Sequence, residues 1–335
     1  MLRLSVLDQS TIVSGRSPDA SIRESLALAR ACDELGYARY WVAEHHNSDA
    51  IAGTAPEILI AAIAATTTRI RVGSAGVMLP HYSALKVAEQ FRVLDAIAPG
   101  RIDLGVGRAP GSDMMTAHAL NPNAATAAER FPAQIRDMLD WLAGRPLVDA
   151  HPFREVAAQP RGPHTPEVWV LGSSDYGAQV AAHFGLPYCF AHFITDGAGA
   201  ERAIATYKAL YRPSERHPEP RGALCVWAVA AETESAAEQL YAPRAIWRLG
   251  RDRGVYAPLP RPEEVAAVTL DAAQREHLAR LRERAILGTP AAVGDKLRAL
   301  AERTGIEEIA VLTTVPDPDA RRRSYELLAR EFGLS

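Results

Sequence analysis

Short apolar runs alternate with helical patterns along the whole chain, and this rhythm limits the fold more than any other feature. Eight β runs can be read. They are "LRLSVLD" (Leu2 to Asp8), "YWVAE" from Tyr40, "IRVGSAGVML" (Ile70 to Leu79), "RIDLGVG" (Arg101 to Gly107), "PEVWVLGSS", "LPYCFAHF", "GALCVWAVAA" and "IEEIAVLTTV". The segments between them carry helix signals. "SIRESLALARACDELGY" opens on Ser with Glu three residues on and stops at Gly36. "TAAERFPAQIRDMLDWLAG" reads as one helix that tolerates Pro132 near its start. Strands joined by helical crossovers form either a doubly wound parallel sheet or a closed barrel. A count of eight favours an α/β fold of the (β/α)8 TIM-barrel type. No linker divides the chain, so one domain is expected over residues 1–335. The segment from about 232 to 287 is longer than one crossover needs. It reads as an insertion before strand eight, suited to a lid or an oligomer contact.

Charge narrows the partners. The formal net charge is −3, and arginines are matched by carboxylates, which argues against nucleic acid. "DARRRSYE" reads as a solvated helix face. Cys32, Cys189 and Cys225 follow no metal spacing and sit in apolar contexts, as small core residues do. "MLRLSVLDQS" enters a strand pattern directly, and "APEILIAAIAATTT" is too short to span a bilayer, so a cytoplasmic protein with no membrane partner is expected.

In a barrel of this type chemistry sits at the C-terminal strand ends. Polar groups recur there: Asp8, Gln9 and Ser10 on strand one, Glu44, His45, His46 and Asn47 on strand two, "GVGRAPGSD" on strand four, "LGSSDYG" on strand five, His192 on strand six, and Thr313 and Thr314 on strand eight. "GVGRAPG" is a poor dinucleotide fingerprint, because Pro110 takes the third glycine position and no acidic residue ends a matching next strand. "LGSSDYGAQVAA" suits an anion better. Gly172, Ser173 and Ser174 precede a helix whose first amides would be free for a phosphate. Simple capping by Asp175 is the competing reading. Arg108 and Arg130 are candidate cations.

"AEHHNSD" can be a metal site, an acid–base site or a polar loop. Adjacent histidines on an extended strand point to opposite faces, so they do not readily share an ion, and no metal is expected. Histidine titrates near neutral pH, which suits acid–base work at a catalytic rim.

Taken together, "WVAEHHN", "RVGSAGVMLPHYSALKVAEQFRVLDAIAPGRIDLGVGRAPG", "VWVLGSSDYGAQVAAHFGLPYCFA" and "LGTPAAVGDKLRAL…TGIEEIAVLT" resemble the luciferase-like flavin monooxygenases over nearly the whole chain. "LDQS" resembles a subgroup of uncharacterised bacterial members. The resemblance implies FMN held non-covalently at the barrel mouth. Ala75 and Gly76 would lie against the flavin ring, often across a non-proline cis peptide. Arg108, Arg130, Gly172, Ser173, Ser174 and the backbone near Tyr176 and Gly177 would hold the phosphate. His45 would be the catalytic histidine, with Glu44 orienting it or bonding nearby backbone, and His46 in a supporting position.

The implied activity is monooxygenation of a small organic substrate by reduced FMN and O2 through a flavin C4a-peroxide. A separate NAD(P)H-dependent flavin reductase would act as a transient partner. Apolar and aromatic walls from "ALCVWAV" and "PYCFAHF" fit such a substrate. An F420-dependent dehydrogenase or reductase of the same superfamily, and a flavin-binding protein without turnover, are the alternatives. Light-emitting members carry a cysteine where this chain has Gly107, so no luminescence is expected. A homodimer is expected by analogy, with "PEILIAAIAATTT" suited to helix packing.

Overall fold

The structure, a computed structural model, describes residues 2–334. The strands are β1 (Arg3–Asp8), β2 (Arg39–Val42), β3 (Arg71–Met78), β4 (Ile102–Gly107), β5 (Glu167–Gly172), β6 (Tyr188–Phe190), β7 (Gly222–Ala230), β8 (Ile286–Gly288) and β9 (Glu308–Leu312). All pairings among them are parallel. β1 to β7 follow one another round the sheet, and β9 closes it between β7 and β1. The eight-stranded closed barrel is the expected (β/α)8 architecture. The ninth strand, β8, was not expected. It is three residues long, "ILG", too short to leave a pattern, and it pairs Ala228–Ala230 where β7 runs past β9. It lies at the end of the segment before strand eight. That segment otherwise folds as the helices Glu234–Arg251, Pro262–Ala266 and Ala272–Arg284.

Two apolar cores follow from the period-two alternation of side chains along each strand. One lies between strands and helices, with Val6, Tyr40, Val72, Leu104, Val170 and Leu224 against residues such as Phe91, Ile135 and Leu328. The other fills the barrel, with Leu7, Trp41, Trp169, Cys189, Cys225, Trp227 and Leu312. Beneath it Arg39 is buried and bonds Asp103 (2.6 Å), Glu308 (2.7 Å) and Glu167 (3.0 Å). Its guanidinium lies 5.0 Å from the Trp169 ring. β3 and β4 pack so tightly that a side chain at Gly105 would meet the Ser74 carbonyl oxygen at 2.2 Å, and one at Gly76 would meet Leu171 Cδ1 at 2.5 Å.

Two helix expectations change. "TAAERFPAQIRDMLDWLAG" is two helices, Ala124–Glu129 and Phe131–Ala143, because Pro132 lacks an N–H and starts a new first turn. The first helix of the chain begins at Pro18, ahead of the expected Ser21. No helix among the described residues is long and apolar enough to cross a membrane.

Candidate active site

A cavity of about 690 Å³ opens at the C-terminal ends of the strands. That volume is in the range of small-molecule sites, ~300–1,000 Å³. Its walls are largely apolar, with Leu7, Trp41, Leu171, Phe193, Cys189 and Cys225. Burial pushes the Cys189 and Cys225 thiols well up, so both are small apolar wall residues rather than nucleophiles.

β2 runs straight into the site. His45 lines the cavity, and its Nδ1 is buried without a hydrogen-bond partner. Burial lowers its pKa to about 4; the charge of Glu44 opposes this, while His46 and Arg251 add to it. The imidazole is therefore neutral at pH 7. Its backbone N–H donates to Gly53 O (2.9 Å), and that of His46 to Gly111 O (3.1 Å), so two loops grip this stretch.

Glu44 does not touch His45. Its carboxylate is buried and accepts from Tyr82 OH (2.7 Å), from His46 Nε2 (2.8 Å) and from the backbone N–H of Met78 (3.1 Å). It ties the end of β2 to the end of β3. His46 is the histidine it orients. Asn47 sits at φ 51° and donates to Asp113 Oδ2 (3.0 Å). An asparagine tolerates that left-handed backbone better than most residues do.

Ala75 and Gly76 line the cavity, and the peptide between them is cis. Gly76 is also fixed by the barrel's own packing against Leu171 and Gly105. Gly107, at the same rim, has open space beside it, and an added side chain would meet only Met78 Sδ at 3.4 Å.

The candidate anion cradle follows β5. Gly172, Ser173, Ser174, Tyr176 and Gly177 line the cavity at the start of the helix Asp175–Phe184. Asp175 does not cap this helix. Its carboxylate pairs with Arg202 at 2.9 Å, and Ser174 at the N-cap makes no side-chain cap bond. The first amides remain available, which favours the anion reading over the capping one. Arg108 lines the same cavity with its guanidinium 3.9 Å from the centre of the Tyr176 ring. Arg130 is not brought to the cavity. It stands at the junction that Pro132 creates between two helices, and it is exposed.

Other polar strand ends have internal tasks. Asp8 is buried against Tyr40 OH (2.6 Å) and Arg321 (2.7 Å), and Thr313 Oγ1 donates to the Ala228 carbonyl (2.8 Å). Gln9 does line the cavity, whereas His192 does not. No group of three metal-ligating side chains forms among the described residues.

Sequence reasoning missed one wall. Trp247, Arg251 and Tyr256 reach the cavity from the segment before strand eight. The available signal was the spacing of Arg244, Arg248 and Arg251, which places three arginines on one helix face.

The geometry fits a flavin mononucleotide. An anion cradle, a small-residue wall at Ala75–Gly76 and a neutral histidine border one apolar cavity. The family model described as luciferase-like monooxygenase matches residues 2–308. The protein YwcH of Bacillus subtilis is 43% identical, covering 99% of both chains. The N-acetyl-S-alkylcysteine monooxygenase of the same organism is 33% identical, covering 98% of both. The crystal structure of apo-MsnO8 aligns with a TM-score of 0.90 at 38% identity, covering 100% of this chain and 99% of that one. The chain belongs to the luciferase-like monooxygenase family.

Proposed function

We propose that the protein oxidises a small organic substrate with reduced FMN and O2. The observation that carries this is one cavity bordered by an anion cradle, a flat small-residue wall and an unpartnered neutral imidazole. When bound, reduced FMN would supply the two electrons that activate O2, and O2 would supply the transferred oxygen atom and the one released as water. Ser173, Ser174, the first amides of the helix Asp175–Phe184 and Arg108 hold the phosphate. Ala75 and Gly76 offer the wall that a ring can approach. Trp41, Leu7 and Leu171 keep water from the reacting atoms. His45 is the acid–base group, and its imidazole, set in the cavity wall, takes a proton from the substrate or returns one. Glu44, through Tyr82, His46 and the Met78 amide, positions the rim.

Reduced FMN comes from a separate NAD(P)H-dependent flavin reductase, as family membership suggests, and the protein works as a homodimer in the cytoplasm. The relative named N-acetyl-S-alkylcysteine monooxygenase makes thioether acids the first substrates to try. The test is O2 uptake by the protein with NADH, FMN and a general flavin reductase, together with mass-spectrometric detection of an oxygenated product. Uptake that depends on the organic substrate supports the reading. Hydride exchange with F420 in the absence of O2 uptake would replace it.

A further inference from the structure

The helix Glu234–Arg251 packs against β7 and β8 beside the barrel mouth. The inward face of such a helix is normally apolar at spacings of three and four. Here Tyr241, Arg244, Arg248 and Arg251 recur at that spacing, and the first three are buried.

Arg248 is fully engaged. It bonds Asp196 at 3.1 and 2.9 Å, the Phe193 carbonyl at 3.2 Å and Asp252 at 3.2 Å. Asp252 also bonds His277 at 3.0 Å. The carboxylates on this surface are thereby occupied. Arg244 has its guanidinium 4.1 Å from the centre of the Trp227 ring and makes no hydrogen bond or ion pair among the described residues. Its pKa falls to about 9 through burial and the neighbouring charge of Arg248. Trp227 Nε1 and the Tyr241 hydroxyl are buried and unpartnered. Arg251 lines the cavity, 5.8 Å from the centre of the Trp247 ring, and is likewise without a hydrogen bond or ion pair among the described residues. A cation withdrawn from water without a counter-charge is costly unless an anion meets it.

The cavity thus holds two guanidiniums with no ion pair among the described residues, Arg108 and Arg251, although the charges of Asp252 and Asp196 are felt at Arg251. Asp113, the carboxylate among the lining residues, is taken up by Asn47 and Thr116. Arg108 stacks on Tyr176 beside the phosphate cradle. Arg251 comes from a different element, and its charge is felt at His45. A phosphate monoester, at about two negative charges, could balance both cations, but of the two only Arg108 stacks on Tyr176 beside the cradle.

We propose that Arg251 receives the carboxylate of an anionic organic substrate, with Arg244 on the same helix face adding positive potential behind it. The inference rests on the monooxygenase reading of this cavity. A guanidinium takes a carboxylate through two parallel N–H donors, which fixes the acid end of the substrate. The apolar remainder would lie along Trp247, Phe193 and Ile194, toward His45.

The experiment is calorimetric titration of the FMN-loaded protein with N-acetyl-S-benzylcysteine, 3-(benzylthio)propanoate and phenylacetate, each against its carboxamide. The protein is expected to bind at least one acid about tenfold or more tightly than its amide. Arg251→Met should erase that preference, and Arg251→Lys should keep part of it. FMN affinity, read by flavin fluorescence, should be equal in all three proteins. The inference is overturned if no acid is preferred, including the case where none binds. It is also overturned if Arg251→Met keeps the preference, or if it weakens FMN itself, which would assign the guanidinium to the cofactor phosphate. Failure of the monooxygenase reading shows separately, as loss of substrate-dependent O2 uptake.

Discussion

Burial holds the imidazole of His45 neutral well below the pH at which a free histidine titrates, with consequences for both stability and turnover. Its folded pKa, about 4, lies below the ordinary value of 6.5. Between these values an unfolded chain takes up a proton that the folded one refuses. Stability is therefore intact above pH 6.5 and is lost as pH falls toward 4. His217, lowered to about 4 chiefly by burial, acts in the same window. His45→Gln should lose less melting temperature than the parent between pH 7 and pH 4.5, an effect on the order of 2 kcal/mol. The same substitution should lower kcat by about 10²–10⁴-fold while leaving FMN affinity within about twofold. Undiminished product formation would remove His45 from the chemistry. This histidine, like the Ala75–Gly76 pair, was legible because its motif is contiguous. Arg251 was not, because its place depends on where a helix from the longest irregular segment comes to rest. Arg130, named from the resemblance, is exposed at the junction where Pro132 restarts the helix, and it does not line the cavity.

The helix Asp175–Phe184 shows how one element decides an anion site. Its N-terminal amides are left open because Asp175 is drawn off to Arg202. Placing a carboxylate at the cradle sets it against the phosphate, so Ser173→Asp should weaken FMN binding by at least about tenfold. Arg108→Ala removes a charge-assisted contact and should cost about 1.5–3 kcal/mol of FMN affinity by fluorescence titration. Arg130→Ala should change it little, since that side chain does not reach the cavity. The strands themselves were legible from length and alternation. β8 was not, since three residues carry no period and the strand exists only because β7 runs on beyond β9. The resemblance sets Ala75 and Gly76, on β3, against the flavin ring. Gly73 and Gly105 serve strand packing against Asp103 and Ser74, while Gly76 packs against Leu171 and Gly105 and also lines the cavity.

At the scale of the whole molecule, closing the barrel gathers charges that the sequence scatters at strand starts. Arg39, Asp103, Glu167 and Glu308 meet beneath the aromatic core only because β9 returns to β1. Arg39→Met would remove the central cation but leave Arg71 on Asp103, Arg221 on Glu167 and Arg3 on Glu308, and should cost about 1–3 kcal/mol in urea unfolding. The outside of the barrel carries a different signal. The helices Pro56–Thr66 and Ala84–Ile97 pack side by side, and Ile58 (67% exposed), Val93 (47%) and Ile97 (51%) stand uncovered on them. Apolar side chains clustered on two adjacent helices form a self-complementary patch when a twofold axis passes through it. Light scattering should therefore give twice the 36.2 kDa of the chain. A double substitution, Ile58→Asp with Val93→Asp, places like charges across such an axis and should yield a monomer. Because both positions lie outside the cavity, the monomer should bind FMN as the parent does. A parent protein that runs as a monomer at micromolar concentration would rule out this interface, and a double variant that stays dimeric would move it to another face.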